Sequence, residues 1–340
     1  MKFKTVLVTG AGGYIGFVLV NMLLKKNYKV IALDRFFFGN YLKNNKNLKI
    51  VVDDTRIFNI NSIKNIDVVI DLAAISNDPS GDLFPKATKD INYLARYRLA
   101  KNSKKYGVKF YLLPSSCSVY GFSDEIVNEK SKTNPLSLYA KYNLKAEKNI
   151  LPLADQKFNV TVIRQATVFG YSERMRYDLA VNALTYDAHN NKSINLMRSG
   201  LQWRPFVHIK DTCRAMIHLI EFSEKEKINK QIFNVGDNNM NFQIKKIGKI
   251  FKQKYPNIKV NWYGDDDNRS YRISFDKISK VTNFKCKFDL AYGIQEISNK
   301  LLKNKIPKTD KTLTLKWYKY LEECKRDYID KSLNNKMINY

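Results

Sequence analysis

The sequence predicts an α/β fold built on a doubly wound parallel sheet. Through the first two-thirds of the 340 residues, short apolar, β-branched runs alternate with helix-like stretches. This alternation is typical of parallel strands joined by crossover helices. A glycine-dense turn directly follows the first apolar run, as it does where a strand leads into a phosphate-binding helix.

Seven apolar runs are the predicted strands. They are residues 5–9, 29–33, 49–52, 68–72, 110–113, 160–163 and 231–235. The predicted helices are residues 17–26, 90–106, 138–151 and 212–222. From residue 171 the alternation loosens, so we expect loops and short helices around the late strands, followed by a terminal helix.

The turn after the first strand has the spacing of a nucleotide-binding segment. Gly10, Gly13 and Gly16 stand between the apolar run 5–9 and the first predicted helix. A Cβ at this turn would block the tight bend or the approach of a phosphate. The helix N-terminus that follows points at the same place. The segment therefore predicts a Rossmann-type dinucleotide-binding fold.

An acidic residue ends the second predicted strand. Asp34 lies eighteen positions after Gly16. A carboxylate there can accept hydrogen bonds from both hydroxyls of an adenosine ribose and would repel a 2′-phosphate, which favours NAD over NADP. The adjacent Arg35 carries the guanidinium that a 2′-phosphate would attract.

Bulk composition excludes several classes of protein. The net charge is +27, but the lysines are spread along the chain among asparagines, so we do not expect a nucleic-acid partner. No apolar run approaches the roughly 20 residues that span a bilayer, and we expect neither membrane insertion nor a signal peptide. The scattered cysteines predict no metal site and suit a reducing cytoplasm. They are Cys117, Cys213, Cys286 and Cys324.

Three later segments carry polar groups suited to chemistry. Ser116 lies where a predicted strand opens into a hydroxyl-rich loop. Tyr139 falls in the first turns of the helix that follows Pro135. Arg204 and His208 belong to a third stretch, residues 202–211.

Together these motifs resemble the extended short-chain dehydrogenase/reductase family, in its NAD-dependent epimerase/dehydratase type that acts on nucleotide sugars. The resemblance covers residues 3–300. The motifs that carry it are Gly10/Gly13/Gly16, Asp34, Asp54-Thr55, Leu72-Ala73-Ala74, Asn92, Ser115-Ser116 with Val119-Tyr120-Gly121, Tyr139, and Arg204 with His208 and Asp211.

The resemblance implies a set of ligand-binding residues. Those for NAD are Gly10, Gly13, Tyr14, Ile15, Gly16, Asp34, Asp54, Thr55, Leu72, Ala73, Ala74 and Asn92, with Asp54 and Thr55 at the adenine. Those for a nucleotide-diphosphate sugar are Arg204 at the diphosphate and Asn182 in the substrate pocket. Arg269 and Arg272, and also Arg174 and Arg176, are further candidates for phosphate or sugar contacts.

The resemblance also assigns the chemistry. Tyr139, as phenolate, would take the proton from a sugar hydroxyl, and Ser116 would hold that hydroxyl in line. His208 would be structural. We expect pocket walls or base-stacking surfaces, and not catalytic groups, at Trp203, Phe206 and Tyr271.

One catalytic position departs from the family pattern Tyr-x-x-x-Lys, because residue 143 is Asn. Asn143 can bond a nicotinamide ribose but cannot lower the pKa of Tyr139 by charge. A unit charge 6–7 Å away is worth about 2.5 kcal/mol at an effective dielectric near 20, or roughly two pKa units. Lys141 and Lys145 point to other helix faces. We therefore predict a slowed or specialised enzyme. Replacing Asn143 with lysine should lower its pH optimum.

The residues after Ser116 bear on the type of reaction. Family dehydratases carry an acidic pair there, whereas this chain has Cys117 and Ser118, which disfavours a 4,6-dehydratase. An epimerase or a dehydrogenase acting at C4 is left. The rival interpretation is a catalytically impaired NAD-binding scaffold or nucleic-acid-binding relative, against which the retention of Ser116, Tyr139 and Arg204 argues.

These assignments predict a domain organisation. Residues 1–170 would form the NAD-binding domain, to which 201–235 return. Residues 171–200 and 236–305 would form a smaller substrate-binding region, and 306–340 a C-terminal helical tail. The resemblance further implies a homodimer.

Overall fold

The structure, a computed structural model, describes residues 3–62, 65–264 and 270–324. Within these ranges the strands are β1 (Thr5–Thr9), β2 (Lys29–Asp34), β3 (Leu48–Val52), β4 (Val68–Asp71), β5 (Phe110–Ser116), β6 (Ile126–Val127), β7 (Asn159–Gln165), β8 (Thr167–Phe169), β9 (Ser193–Met197), β10 (Trp203–His208), β11 (Gln231–Val235), β12 (Asn241–Gln243), β13 (Lys259–Tyr263) and β14 (Arg272–Ile273).

The helices of the same ranges are α1 (Tyr14–Lys25), α2 (Asp78–Leu83), α3 (Pro85–Lys89), α4 (Arg96–Lys105), α5 (Leu138–Ile150), α6 (Ala180–Asn190), α7 (Ile209–Glu221), α8 (Lys225–Ile228), α9 (Ile244–Lys254), α10 (Asp276–Thr282), α11 (Leu290–Leu302) and α12 (Thr314–Glu323). A π-helical segment, Asp90–Ala95, joins α3 to α4.

The main sheet has seven parallel strands in the order β11-β7-β5-β4-β1-β2-β3. These are the seven predicted strands, and the predicted doubly wound α/β fold is confirmed. The chain winds outward from β1 through β2 to β3, then returns beside β1 with β4 and winds the other way. The order of the strands therefore reverses between β1 and β4, which is where open sheets of this type bind ligands.

Both faces of the sheet are covered. Side chains of a strand alternate between faces, so Val6 and Val8 pack in one core with α1 and α7, and Leu7 packs in another with α4 and α5. Burial on both sides explains why the inner strands are continuous apolar runs, whereas the edge strand β3 is only partly buried.

The late segments hold longer helices than the predicted loops and short helices. Helix α11 has 13 residues and α9 has 11. In α11 the buried residues Leu290, Ile294, Ile297 and Leu301 recur every three or four positions, so one helix face is apolar. Together with α6, β9 and β10, these helices enclose a separate core around Phe206.

The predicted terminal helix is present as α12. Trp317 donates from Nε1 to the Phe37 carbonyl at 2.6 Å, and the Tyr318 ring packs 5.3 Å from that of Phe38. The remainder of the predicted tail, 325–340, lies outside the described residues. No helix in the described part of the chain is both long and apolar enough to traverse a bilayer.

Candidate functional site

A cavity of about 1080 Å³ opens at the carboxyl ends of the strands, beside the reversal of strand order. Its wall combines residues that follow β1, β2, β4 and β5, among them Gly10, Asp34, Leu72 and Ser116. Single small-molecule sites have volumes of roughly 300–1,000 Å³. The cavity therefore has room for two ligands that lie in contact.

The glycine turn forms one end of this cavity. All five predicted turn residues line it: Gly10, Gly13, Tyr14, Ile15 and Gly16. Gly10 has a φ of +64°, and a Cβ on it would lie 2.8 Å from the Ala73 nitrogen. A Cβ on Gly16 would lie 2.1 Å from the Gly10 carbonyl oxygen, which no side chain tolerates. The turn is thus a cradle that only glycine permits, at the N-terminus of α1, as a pyrophosphate requires.

Asp34 is the last residue of β2 and contacts the glycine turn. Its carboxylate accepts hydrogen bonds from the backbone nitrogens of Gly12 at 3.0 Å and Phe36 at 2.7 Å. Burial raises the pKa of Asp34, and these backbone donors oppose the rise. The neighbouring Arg35 is turned to Asp54, 2.9 Å away. The cation that could attract a 2′-phosphate is therefore engaged by a carboxylate.

Asp54 and Thr55 also line the cavity, next to the end of β3. Asp54 is 5% exposed and forms a second ion pair with Arg56 at 2.6 Å. Burial alone would raise the pKa of Asp54, but hydrogen bonds from Arg56 and the charges of both arginines hold it below its usual range.

The segment after β4 contributes Leu72, Ala73 and Ala74 to the wall, as predicted. Asn92 does not join them. It is fully buried behind the segment, where its Oδ1 accepts from the Ile75 nitrogen at 2.8 Å and its Nδ2 donates to the Ile75 carbonyl at 2.9 Å. Both ends of the amide are used, so Asn92 positions the cavity wall from outside instead of facing the cavity.

Ser116 and Tyr139 face the cavity from neighbouring elements, the end of β5 and the first turn of α5. Ser137 caps α5 by accepting a hydrogen bond from the Ala140 nitrogen, which fixes where this first turn begins. Ser118 donates from its hydroxyl to Ser116 Oγ at 2.9 Å. Ser116 in turn interacts with the Tyr139 side chain.

The pKa of Tyr139 is raised above its ordinary value, chiefly by burial. The positive charge of Arg96 opposes this rise, the negative charge of Asp78 reinforces it, and hydrogen bonding with Ser116 and the charge of Arg176 lower the pKa again.

Asn143 lies one turn beyond Tyr139 but is 1% exposed and is not part of the cavity wall. Its Oδ1 accepts a hydrogen bond from Arg96 Nη1 at 2.7 Å, and its Nδ2 has no partner among the described residues. Lys141 and Lys145 are exposed on other faces of α5, in agreement with the helical geometry. Neither replaces the missing lysine.

The predicted substrate residues are only partly brought together. Arg204 lines the cavity beside Tyr271, whose ring centroid is 6.0 Å from its guanidinium carbon. Arg272 lies outside the wall, 5.2 Å from the Trp203 ring, and donates to the Asp124 carbonyl. The predicted Arg269 lies outside the described residues.

Asn182 is likewise placed behind the wall. It is fully buried in α6, accepts from the Gly170 nitrogen at 3.0 Å and donates to the Tyr14 hydroxyl at 3.0 Å. Tyr14 itself faces the cavity. Asn182 therefore ties the substrate-side helix to the glycine turn, and its amide has no spare group for a ligand in this arrangement.

Arg174 and Arg176 both line the cavity and are buried. Arg176 is neutralised by Asp178 through two bonds of 3.1 and 2.7 Å. Arg174 lies 3.7 Å from the Phe38 ring centroid, and burial lowers its pKa to about 10. Within the described ranges no carboxylate forms an ion pair with Arg174, so its charge is available to an anionic ligand.

Two features of the site were absent from the sequence-based prediction. Tyr318 of α12 lines the cavity, as do Phe37 and Phe38 after β2. The aromatic density of both segments was their only sequence signal.

Cys117 is buried and its thiol donates to the Arg164 carbonyl, whereas Ser118 faces the cavity. Neither position after Ser116 offers a carboxylate.

His208 is structural, as predicted. It is fully buried, and its Nε2 lies 3.1 Å from Glu296. Among the described residues there is no group of three or more His, Cys, Asp or Glu side chains that could hold a metal ion.

Residues 6–236 match the sequence profile of the NAD dependent epimerase/dehydratase family. A putative UDP-glucose 4-epimerase of Methanocaldococcus jannaschii is 26% identical over 88% of this chain and 99% of its own length. The uncharacterized UDP-glucose epimerase YtcB of Bacillus subtilis is 30% identical over 62% of this chain and 71% of its own. Among solved structures, MoeE5 in complex with UDP-glucuronic acid and NAD superimposes with a TM-score of 0.79 at 26% identity, over 88% of this chain and 99% of that one.

Proposed function

This chain belongs to the NAD dependent epimerase/dehydratase family, and from that premise we propose that it epimerises a nucleotide-diphosphate sugar at C4. Membership confirms NAD as the cofactor, as Asp34 predicts. The observation that carries the proposal is that Ser116 and Tyr139 face the same cavity as the glycine turn.

The residues present fit the cofactor. The turn around Gly10 and Gly16 can adopt the tight bend that brings backbone nitrogens to a pyrophosphate, because a Cβ at either position would collide with neighbouring backbone. Asp34 would accept the adenosine ribose hydroxyls, and Asp54 and Thr55 would contact the adenine. When bound, NAD supplies the acceptor and donor of hydride.

Tyr139 is the proposed base. Its Oη would take the proton of the sugar hydroxyl, and Ser116 Oγ would hold that hydroxyl in line. Asn143 lies behind the cavity wall, so we do not assign it the bond to the nicotinamide ribose that the sequence predicts. Arg174 and Arg204 are the proposed contacts of phosphate groups.

Several observations favour epimerisation over the alternatives. Elimination of water needs an acid and a base next to Ser116, and neither Cys117 nor Ser118 supplies a carboxylate. The relatives named above are described as UDP-glucose epimerases, and MoeE5 binds a UDP sugar, so we propose a UDP sugar as substrate. A dehydrogenase, which would release the keto sugar, is the second candidate.

The test is product analysis by proton NMR after incubation with NAD and either UDP-glucose or UDP-glucuronic acid. We expect the C4 epimer, with the substrate regenerated from it. Tyr139→Phe should abolish turnover and leave NAD binding intact. A 4-keto-6-deoxy product would establish a dehydratase, and accumulation of a 4-keto sugar a dehydrogenase.

The non-catalytic interpretation is tested separately. If the protein binds random RNA tightly at physiological salt and retains no UDP sugar, the enzymatic proposal fails. We further propose a homodimer, to be tested by light scattering, and a cytoplasmic location, to be tested by fractionation of the source cells.

A further inference from the structure

A buried arginine, Arg96, contacts Asn143, the residue at the position of the lysine in the family pattern. Arg96 is 3% exposed and is the first residue of α4, directly after the π-helical segment. Its guanidinium donates to Asn143 Oδ1 at 2.7 Å and to the Ala73 carbonyl at 3.1 Å. Ala73 and Tyr139 both line the cavity. Arg96 therefore lies immediately behind the wall that carries the proposed base.

The charge of Arg96 is not neutralised by an ion pair with any described residue. Asp71 contacts Arg96 through its backbone carbonyl, at 3.5 Å. The Asp71 carboxylate instead accepts hydrogen bonds from Thr9 and Tyr111. Burying a cation without a counter-ion is unfavourable. The buried Arg164, by contrast with Arg96, has a counter-ion, because Glu147 lies 2.7 Å away.

Arg96 directly follows the π-helical segment. Such segments occur frequently at functional sites. The Arg96 guanidinium reaches α5, where the Asn143 amide accepts its hydrogen bond. A lysine at position 143 would occupy the same space and would place a second cation beside Arg96.

We propose that Arg96 is a positioning residue that acts through Tyr139, supplying from α4 the positive charge that position 143 lacks. Asn143 fixes the guanidinium beside the phenol. This inference rests on the proposed role of Tyr139 as the base.

The other charges around Tyr139 do not supply an equivalent. Arg176 also lowers the pKa of Tyr139, but Asp178 pairs with it through two bonds. Asp78 raises the pKa, and burial raises it most. Facing Arg96 itself are the titratable groups of Asp71, whose carboxylate is hydrogen-bonded elsewhere, and Tyr111, whose hydroxyl donates to Asp71 and to the Arg96 carbonyl.

The experiment measures the ionisation of Tyr139 directly, in NAD-loaded protein without substrate. Tyrosine labelled with ¹³C at Cζ gives one resonance per residue, and Tyr139→Phe identifies the relevant one. In Arg96→Gln we expect the pKa of Tyr139 to rise by about 1–2 units. The rising limb of the kcat/KM profile should move to higher pH by the same amount. Arg96→Lys should shift both by less.

A charge exchange provides the matched control. Arg96→Gln combined with Asn143→Lys returns the cation to α5 and should restore the pKa of Tyr139. Asn143→Lys alone places two cations together, and we expect lower thermal stability, without the lower pH optimum that the sequence predicts.

The inference is overturned if Arg96→Gln lowers stability but leaves the pKa of Tyr139 unchanged, or if the double variant fails to restore it. Should Arg96→Gln not fold, Arg96→Met, a second neutral variant, and the double variant decide the question. The titration needs no turnover, so a shifted pKa in a protein without sugar activity would refute the proposed reaction and leave the role of Arg96 standing.

Discussion

Glu296 of α11 joins the substrate-side helices to the strand that ends in His208. It accepts hydrogen bonds from the Tyr171 nitrogen at 3.0 Å, from His208 Nε2 at 3.1 Å and from the Lys210 ammonium. His208 Nδ1 accepts the Lys210 backbone N–H, so Nε2 carries the proton that His208 donates to Glu296.

The contribution of these hydrogen bonds to stability follows from the pKa of Glu296. Burial alone would raise the pKa of Glu296, but the donors from His208, Lys210 and Tyr171 lower it from 4.5 to about 2. Because solvent screens part of this carboxyl, a depression of this size corresponds to at most about 3 kcal/mol of folding free energy at neutral pH. Because the pKa is lower in the folded state, this stability is present above pH 4.5 and is lost as the pH falls toward 2.

Glu296→Gln should therefore lower the free energy of unfolding by up to about 3 kcal/mol at pH 7, and the difference from the parent protein should shrink between pH 4.5 and 2. Urea unfolding at a series of pH values measures it. Glu224→Gln is the control, since its ion pair with Lys227 is exposed and is worth less than about 1 kcal/mol. A difference that stays constant with pH would refute the reasoning.

Two further predictions concern the cofactor. Asp34→Ala should weaken NAD by about 10–100-fold, through lost charge-assisted hydrogen bonds, and NADP by less, because the carboxylate repels a 2′-phosphate; equal losses in calorimetric titrations would undo the assignment. Gly16→Ala should displace the turn, since its Cβ would meet the Gly10 carbonyl oxygen, and should lower NAD affinity at least about tenfold. At Gly107 the φ is +79°, and a Cβ would meet nothing within 4 Å, so Gly107→Ala should strain the backbone without a collision. It should lower stability but leave NAD affinity unchanged, and a matching loss of affinity there would point to general destabilisation.

Much of the framework was predictable because it depends on local pattern. Strands buried on both faces must be continuous apolar runs, and all seven were found. The glycine turn, Asp34, Ser116 and Tyr139 were predictable because each follows the end of an element whose position the pattern fixes. Side chains at such ends meet at one edge of a parallel sheet.

The remaining assignments depend on side-chain direction, which a one-dimensional pattern does not carry. Asn92 and Asn182 are motif residues whose amides bond backbone and Tyr14 behind the wall. The sequence shows Arg96 only as one of many cations of a basic helix, whereas the structure buries its side chain directly after the π-helical segment. Tyr318 reaches the cavity from a distant helix, a contact between residues far apart in sequence.

The most direct test of the account is a crystal structure of the NAD-loaded protein with a UDP sugar. We predict that the nicotinamide lies at the Ser116 end of the cavity, and that Tyr139 Oη lies within hydrogen-bond reach, about 2.6–3.2 Å, of a sugar hydroxyl. A nicotinamide bound elsewhere, or a Tyr139 hydroxyl remote from both ligands, would contradict the account.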